Sequence, residues 1–282
     1  MDQMTRVART IAITSGKGGV GKTCLAANLG CALVQAGRKV LVLDADLGLA
    51  NLDILLNLNP TATLHDVLAG RCRLEEVILE GPGGLRVLPA GSGMSDYSHM
   101  TGGLRERLPE VIEQLSRDYD YLLLDSGAGI SDVVLFIASL AQEILIVVTP
   151  EPTSFADAYA TIKVMALQQD RMVFSLVMNQ VPQERDGQAF VNQLQQVADR
   201  FIRGGQGRPV SLTYLGAVPA DSAVEGSVCK RQLLVASRPG SPAARAIVKV
   251  AACLDATAPS PSGRRALPLC SATDGAPGCR LA

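Results

Sequence analysis

The stretch Ser15-Gly16-Lys17-Gly18-Gly19-Val20-Gly21-Lys22-Thr23 decides how the rest of the chain is read. Gly16, Gly21, Lys22 and Thr23 stand at the fixed places of the pattern G-x-x-x-x-G-K-[ST], a phosphate-binding loop when a strand precedes it and a helix follows. Both flanks are present. Residues 10–14 read as a short buried strand, and residues 24–34, beginning at Cys24, as a helix of small and apolar residues. Such a turn is an anion site, because backbone N–H groups and the positive end of the helix dipole converge on one place. Glycine lets the backbone approach phosphate oxygens with no Cβ between them. Gly16, Gly18, Gly19, Val20, Gly21, Lys22, Thr23 and Cys24 are therefore the candidate residues for binding the phosphates of a nucleotide. Lys22 is expected on the β- and γ-phosphates, and Thr23 is expected to place its hydroxyl on Mg²⁺. Lys17 is a second lysine that an ordinary phosphate loop does not need.

The 282 residues are 48% hydrophobic and 19% charged, enough to bury a sizeable core. The net charge of -1 argues against wholesale nucleic-acid binding. No basic-then-apolar leader opens the sequence, and no apolar run approaches the ~20 residues of a membrane span, so a cytoplasmic location is expected. The seven cysteines (Cys24, Cys31, Cys72, Cys229, Cys253, Cys270 and Cys279) form no C-x-x-C and have no histidine at ligand spacing. Reduced, mostly buried thiols are expected rather than a metal site. His65 and His99 are isolated and read as surface or helix-end residues.

Outward from the loop, strands alternate with helices. Residues 39–43 are a continuous apolar strand of the kind buried in a parallel sheet, followed by Asp44 and Asp46. Acids at the carboxyl end of such a strand sit where open α/β sheets bind ligands; turn chemistry and helix capping are the other use for them. Residues 63–70 read as a short capped helix, 85–89 as a strand, and 104–117 as a helix with Leu104, Leu108, Val111, Ile112 and Leu115 on one face. Residues 121–124 form a strand running into Asp125, the Walker-B arrangement that holds Mg²⁺ directly or through water. Strands follow at 143–149, 172–178 and 212–218. Residues 152–168 begin as a loop and become a helix, 190–201 are helical, and Asp221 caps a helix through 228. The last helix, 242–254, puts Ala244, Ile247, Val248, Ala251 and Leu254 on one side, a face for packing on the sheet, with peripheral contact at the inner membrane face as the other use for it. The reading is one α/β domain of the P-loop NTPase type, a mostly parallel sheet with helices on both faces. Residues 1–9 are a polar lead-in, 10–255 the ATPase domain, and 256–282 a flexible Pro/Gly/Ser-rich tail.

The loop resembles the deviant phosphate loop K-G-G-x-G-K-[ST] of the MinD/ParA ATPases, with Lys17 as its extra lysine. The resemblance runs from about residue 10 to 254. Residues 44–53 look like the family's switch I and 125–130 like its switch II. Residues 151–159 and 63–68 are similar to the flagellar-number regulator branch. The resemblance implies a slow Mg²⁺-dependent ATPase that forms a homodimer on ATP and regulates flagellar number or placement. It gives Lys17 a role in trans on the partner's phosphates, Asp46 the positioning of the attacking water, and Asp44 a place in the Mg²⁺ and phosphate-loop network. Asp125 becomes the Walker-B acid, Asp157 a dimer-interface acid, and Asn179 the reader of adenine. The turn after Pro219 closes the base pocket. The implied partners are a signal-recognition-type flagellar GTPase, a flagellar transcription activator and basal-body proteins.

Two features of the branch are not matched. Residues 256–282 show no apolar helical stripe for membrane contact, and residues 1–9 keep only Asp2-Gln3 of the GTPase-stimulating segment. Two other functions fit the same residues. One is a DNA-segregation ATPase using Arg231, Arg238, Arg245 and Lys249 as a patch. The other is a nucleotide-gated binding module with negligible hydrolysis.

Overall fold

In the computed structural model, residues 7–48, 50–91, 102–182, 186–203 and 207–257 are described. Among them the strands are β1 (Arg9–Ser15), β2 (Val40–Ala45), β3 (Leu79–Glu80), β4 (Arg86–Leu88), β5 (Tyr121–Ala128), β6 (Glu143–Val148), β7 (Val173–Val181) and β8 (Ser211–Pro219). The helices are α1 (Lys22–Gln35), α2 (Leu52–Leu55), α3 (Leu64–Leu68), α4 (Leu74–Val77), α5 (Gly102–Leu115), α6 (Asp132–Leu140), α7 (Pro152–Gln169), α8 (Asp186–Phe201), α9 (Ser222–Cys229), α10 (Leu234–Ser237) and α11 (Pro242–Ala256). The strands form one sheet in the order β3-β4-β2-β5-β1-β6-β7-β8. Every pairing is parallel except β3 with β4 at one edge.

Both faces of the sheet are covered, which is why the inner strands carry buried apolar residues on both sides, with polar residues such as Asp44 and Asp125 toward their carboxyl ends. Successive side chains point to opposite faces. Ile11 and Ile13 of β1 enter a core with Leu29 and Leu33 of α1 and Ile247 and Val250 of α11. Ala8 and Ala12 enter the other core, with Leu108 of α5, Ile137 of α6, Ile162 of α7 and Leu194 of α8. α11 packs on α1 and β8, so its apolar face is consumed by the sheet. Val248, expected on that face, is 44% exposed instead.

Several expected boundaries move. β2 and β5 continue past their apolar runs, so Asp44 and Asp125 lie within strands, opposite each other in register. α7 is helical from Pro152 onward, with no loop at the start of 152–168, because proline is pre-set for the first helical turn. α6 was not expected at all. Cys31 alone among the five described cysteines is buried, while Cys24 and Cys72 are intermediate and Cys229 and Cys253 exposed. His99 and residues 258–282, which make up most of the expected tail, lie outside the described residues.

At the amino ends of the central strands, a polar clasp ties down α11. Arg38 donates to both oxygens of Asp255, and the Tyr121 hydroxyl donates to Asp255 at 2.7 Å. Arg9 pairs with Glu143 and donates to the carbonyls of Leu254 and Thr257, which end the helix. The carboxyl ends of β1, β2 and β5 are left for the site. There the strand order reverses around β1, as open α/β sheets require of a ligand crevice.

Candidate functional site

The loop leaves β1 at Ser15, turns through Gly19 (φ 78°) and Gly21 (φ 88°), and enters α1 at Lys22. These left-handed values are cheap only for glycine. Gly16 is needed for a different reason: a Cβ there would lie 2.4 Å from the Asp157 carbonyl, so α7 packs directly on the loop. A cavity of about 850 Å³ opens beside the loop. Gly18, Gly19, Gly21, Lys22, Thr23 and Cys24 line it from one side, Asp46 from another, and Gly127, Ala128 and Ser131 from a third.

Lys22 faces both Asp125 and Asp46, whose charges support its own, although burial lowers its pKa. Asp125 is 1% exposed, and its pKa is pushed up to about 8, first by burial and then by Asp44 opposite. Thr23 hydrogen-bonds Asp125, but Asp125 Oδ1 has no partner although it is buried. A buried carboxylate oxygen without a donor is costly, and a cation beside it would remove the cost. Thr23 and Asp125 therefore fit a Mg²⁺ ion, whose chemistry there is neutralisation of charge on the phosphates.

Asp44 is spent differently. Its carboxylate accepts the N–H groups of Asp46, Asn51 and Leu52, each at 3.1 Å, and it is 1% exposed. It fixes the β2–α2 loop and caps the start of α2, while burial pushes its pKa up to about 7. Asp46, partly exposed on the cavity wall, is the acid this loop presents. Gly127 of β5 lies close to it: a Cβ there would be 3.6 Å from Asp46 Oδ1, an ordinary contact distance. Gly129 N–H donates to the Ser15 carbonyl at 2.8 Å and joins the end of β5 to β1.

Lys17 does not line the cavity. Its Nζ pairs with Glu151, which precedes α7, and lies 3.4 Å from Thr153 Oγ1. Asp157 meets the loop through its backbone at Gly16. Asn179 donates from Nδ2 to the Val20 carbonyl at 2.7 Å, and Val20 is buried. Neither Asn179 nor Pro219 lines the cavity; Pro219 ends β8 against Val181. The far wall comes from Val228, Cys229 and Arg231 at the end of α9, and the near rim from Ile54. Arg231, read from sequence as part of a basic patch, is thus a cavity residue, bonded to Asn57 at 3.2 Å. No motif marks these positions, and only the fold brings them to the loop.

A parallel sheet with a lysine-bearing deviant loop, a strand-borne acid behind Thr23 and an acid-tipped loop facing it defines a MinD/ParA-type P-loop ATPase, which uses ATP and Mg²⁺. A family model described as an AAA domain matches residues 8–178. The chain is 41% identical over 247 residues to the antiactivator FleN of Pseudomonas aeruginosa, covering 88% of this chain and 86% of that protein. It is 35% identical over 246 residues to the flagellum site-determining protein YlxH of Helicobacter pylori, covering 86% and 81%. Its fold superposes on the septum site-determining protein MinD of Pyrococcus horikoshii, complexed with Mg-ADP, with a TM-score of 0.72 and 31% identity, covering 88% of this chain and 96% of that one. The chain belongs to this AAA-domain ATPase family, in the company of the flagellar-number regulators.

Proposed function

We propose that this chain is a slow ATPase switch that dimerises on ATP and sets flagellar number or placement. The carrying observation is Lys17. It sits on the phosphate loop yet outside the loop's own cavity, its Nζ held by exposed contacts with Glu151 and Thr153. Exposed pairs are worth ~0–1 kcal/mol, so this one yields readily to a phosphate. A phosphate that Lys17 could meet belongs to a second subunit. Gly18 supports the reading: its backbone is ordinary and a Cβ there would touch nothing, so the fold by itself does not need glycine. Room is left for an approaching partner. Exposed Ile54 and Val228 at the cavity give that partner an apolar surface, each being 40% exposed or more.

The output of such a switch is a partner that binds one state only. Its partners would be a signal-recognition-type GTPase, a flagellar transcription activator or basal-body proteins, met in the cytoplasm. Among the described residues no helix is long and apolar enough to cross a membrane. Light scattering of the protein with ATP and with ADP tests the dimer, and single-turnover phosphate release separates an ATPase from a gated binding module. Monomers in both nucleotides would refute the switch, and flagellar counts unchanged in a deletion strain would refute its role.

A further inference from the structure

The phosphate loop has a fastening on the side away from the cavity that its sequence pattern does not supply. Asn179 of β7 donates from Nδ2 to the Val20 carbonyl at 2.7 Å. A carbonyl only accepts, so the amide nitrogen has to face it. The seat is built from both sides. Gln180, next along β7, has φ 57°, and the pairing of β7 with β8 shifts register between Asn179 and Val181. A bulge of this kind re-aims the side chains beside it. Across the contact, a Cβ on Gly21 would lie 2.6 Å from Asn179 Nδ2. Glycine at 21 therefore serves the left-handed turn and also leaves space for the amide.

Peptide geometry carries the consequence to the ligand. The Val20 carbonyl and the Gly21 N–H belong to one planar trans unit and point in opposite directions. Fastening the carbonyl to β7 turns the Gly21 N–H away from β7. Gly21 lines the cavity, and its own carbonyl accepts Leu25 N–H at 2.9 Å to start α1. We infer that Asn179 is a positioning residue for the phosphate loop, holding the 20–21 peptide so that Gly21 N–H meets the phosphates of ATP. The inference rests on the ATP-binding reading of the cavity and goes beyond base recognition. An amide that gives one N–H to Val20 keeps another N–H and its oxygen for a base. One side chain then links the two ends of the nucleotide.

Inorganic Mg-tripolyphosphate, which has the phosphates and no base, separates the roles. Its affinity is measured by calorimetry on full-length wild type, Asn179→Ala, Asn179→Leu and Lys22→Ala, beside ATP affinity and the melting of each ligand-free protein. Both Asn179 variants are expected to weaken tripolyphosphate about tenfold, the order of one lost hydrogen bond, with ligand-free melting lowered by no more than the few degrees that bond is worth. Leu fills a branched side chain's place without a donor, so it keeps the test open if the Ala variant does not fold. Variants that hold tripolyphosphate like wild type and lose only ATP would show a base reader and overturn the inference. Normal binding by Asn179→Leu alone would show a space-filling role and overturn it too, as would weakened binding accompanied by a melting point lowered by more than those few degrees. Wild-type affinity of Lys22→Ala for both ligands would instead refute the ATP-binding reading underneath.

Discussion

Two carboxylates within one loop, Asp44 and Asp46, face different tasks because one is buried and the other is not. Asp44 has three backbone donors and no access to the cavity, so its removal should loosen the β2–α2 loop. Asp46 reaches the cavity beside Lys22. Phosphoryl transfer asks mostly for positioning, and a carboxylate there can accept a hydrogen bond from the attacking water. Asp46→Ala should therefore keep ATP and the dimer but release almost no phosphate in a single turnover; hydrolysis at the wild-type rate would move the water-positioning role elsewhere. The buried pair also sets a pH dependence. Asp44 and Asp125 have pKa values raised from 3.8 to about 7 and about 8, so between those limits the folded chain holds more protons than the unfolded one. Metal-free stability should then fall as pH rises from about 4 to about 8. Asp125→Asn should flatten that fall and raise stability at pH 8 by roughly 1–3 kcal/mol. Urea titrations of chelator-treated protein at several pH values check this, and a slope unchanged by the substitution would count against it.

At the scale of elements, the clasp on α11 makes a second stability prediction. Arg38 and Asp255 have side chains 33% and 24% exposed, so their two-pronged pair is only partly screened. Asp255→Ala should cost about 1–2 kcal/mol, since it also strips the Tyr121 hydroxyl of its acceptor. Arg38 and Tyr121 hold the Asp255 pKa below its ordinary value. The contribution is therefore full above the unfolded carboxylate value and disappears as pH falls through the lower folded one. The stability gap between wild type and Asp255→Ala should close in acid; a gap that widened there would reject the clasp. Elements that combine a clear period with a cap were legible in the sequence. Thr63 and Asp66 form the capping box of α3, and Asp221 caps α9 through Ala223 N–H. α6 was not legible because 132–140 is almost wholly apolar, and such a run has no face to reveal its period. Its signal was Ser131, whose hydroxyl accepts Val134 N–H. The site was legible where chemistry is local, in the loop and at Asp125. It was illegible where distant elements meet, as at Asn179 on Val20, Asp157 on Gly16 and Arg231 in the cavity wall.

For the whole molecule the question is whether one chain holds a complete catalytic site. Lys22, Thr23 and Asp46 line one cavity with Asp125 buried behind Thr23, whereas Lys17 is turned out toward Glu151. A cation supplied in trans to a phosphoryl group can be worth ~10³–10⁵ in rate. Lys17→Ala should thus retain ATP binding, because the cavity's own groups are intact, and should lose ATP-dependent dimerisation by itself. Asp46→Ala should dimerise and stay inert. Each variant alone is expected to be inactive, for complementary reasons. In a mixed dimer the Lys17→Ala subunit still has Asp46, and its partner still offers Lys17, so one of the two sites is complete. Lys17→Ala subunits cannot pair with each other and can join only Asp46→Ala subunits; each mixed dimer has one working site of its two, so up to about half of the wild-type rate should return. Phosphate release from the mixture, compared with each variant alone, reads this directly. If Lys17 acted on the nucleotide of its own chain, no subunit in the mixture would hold both residues and no activity would return.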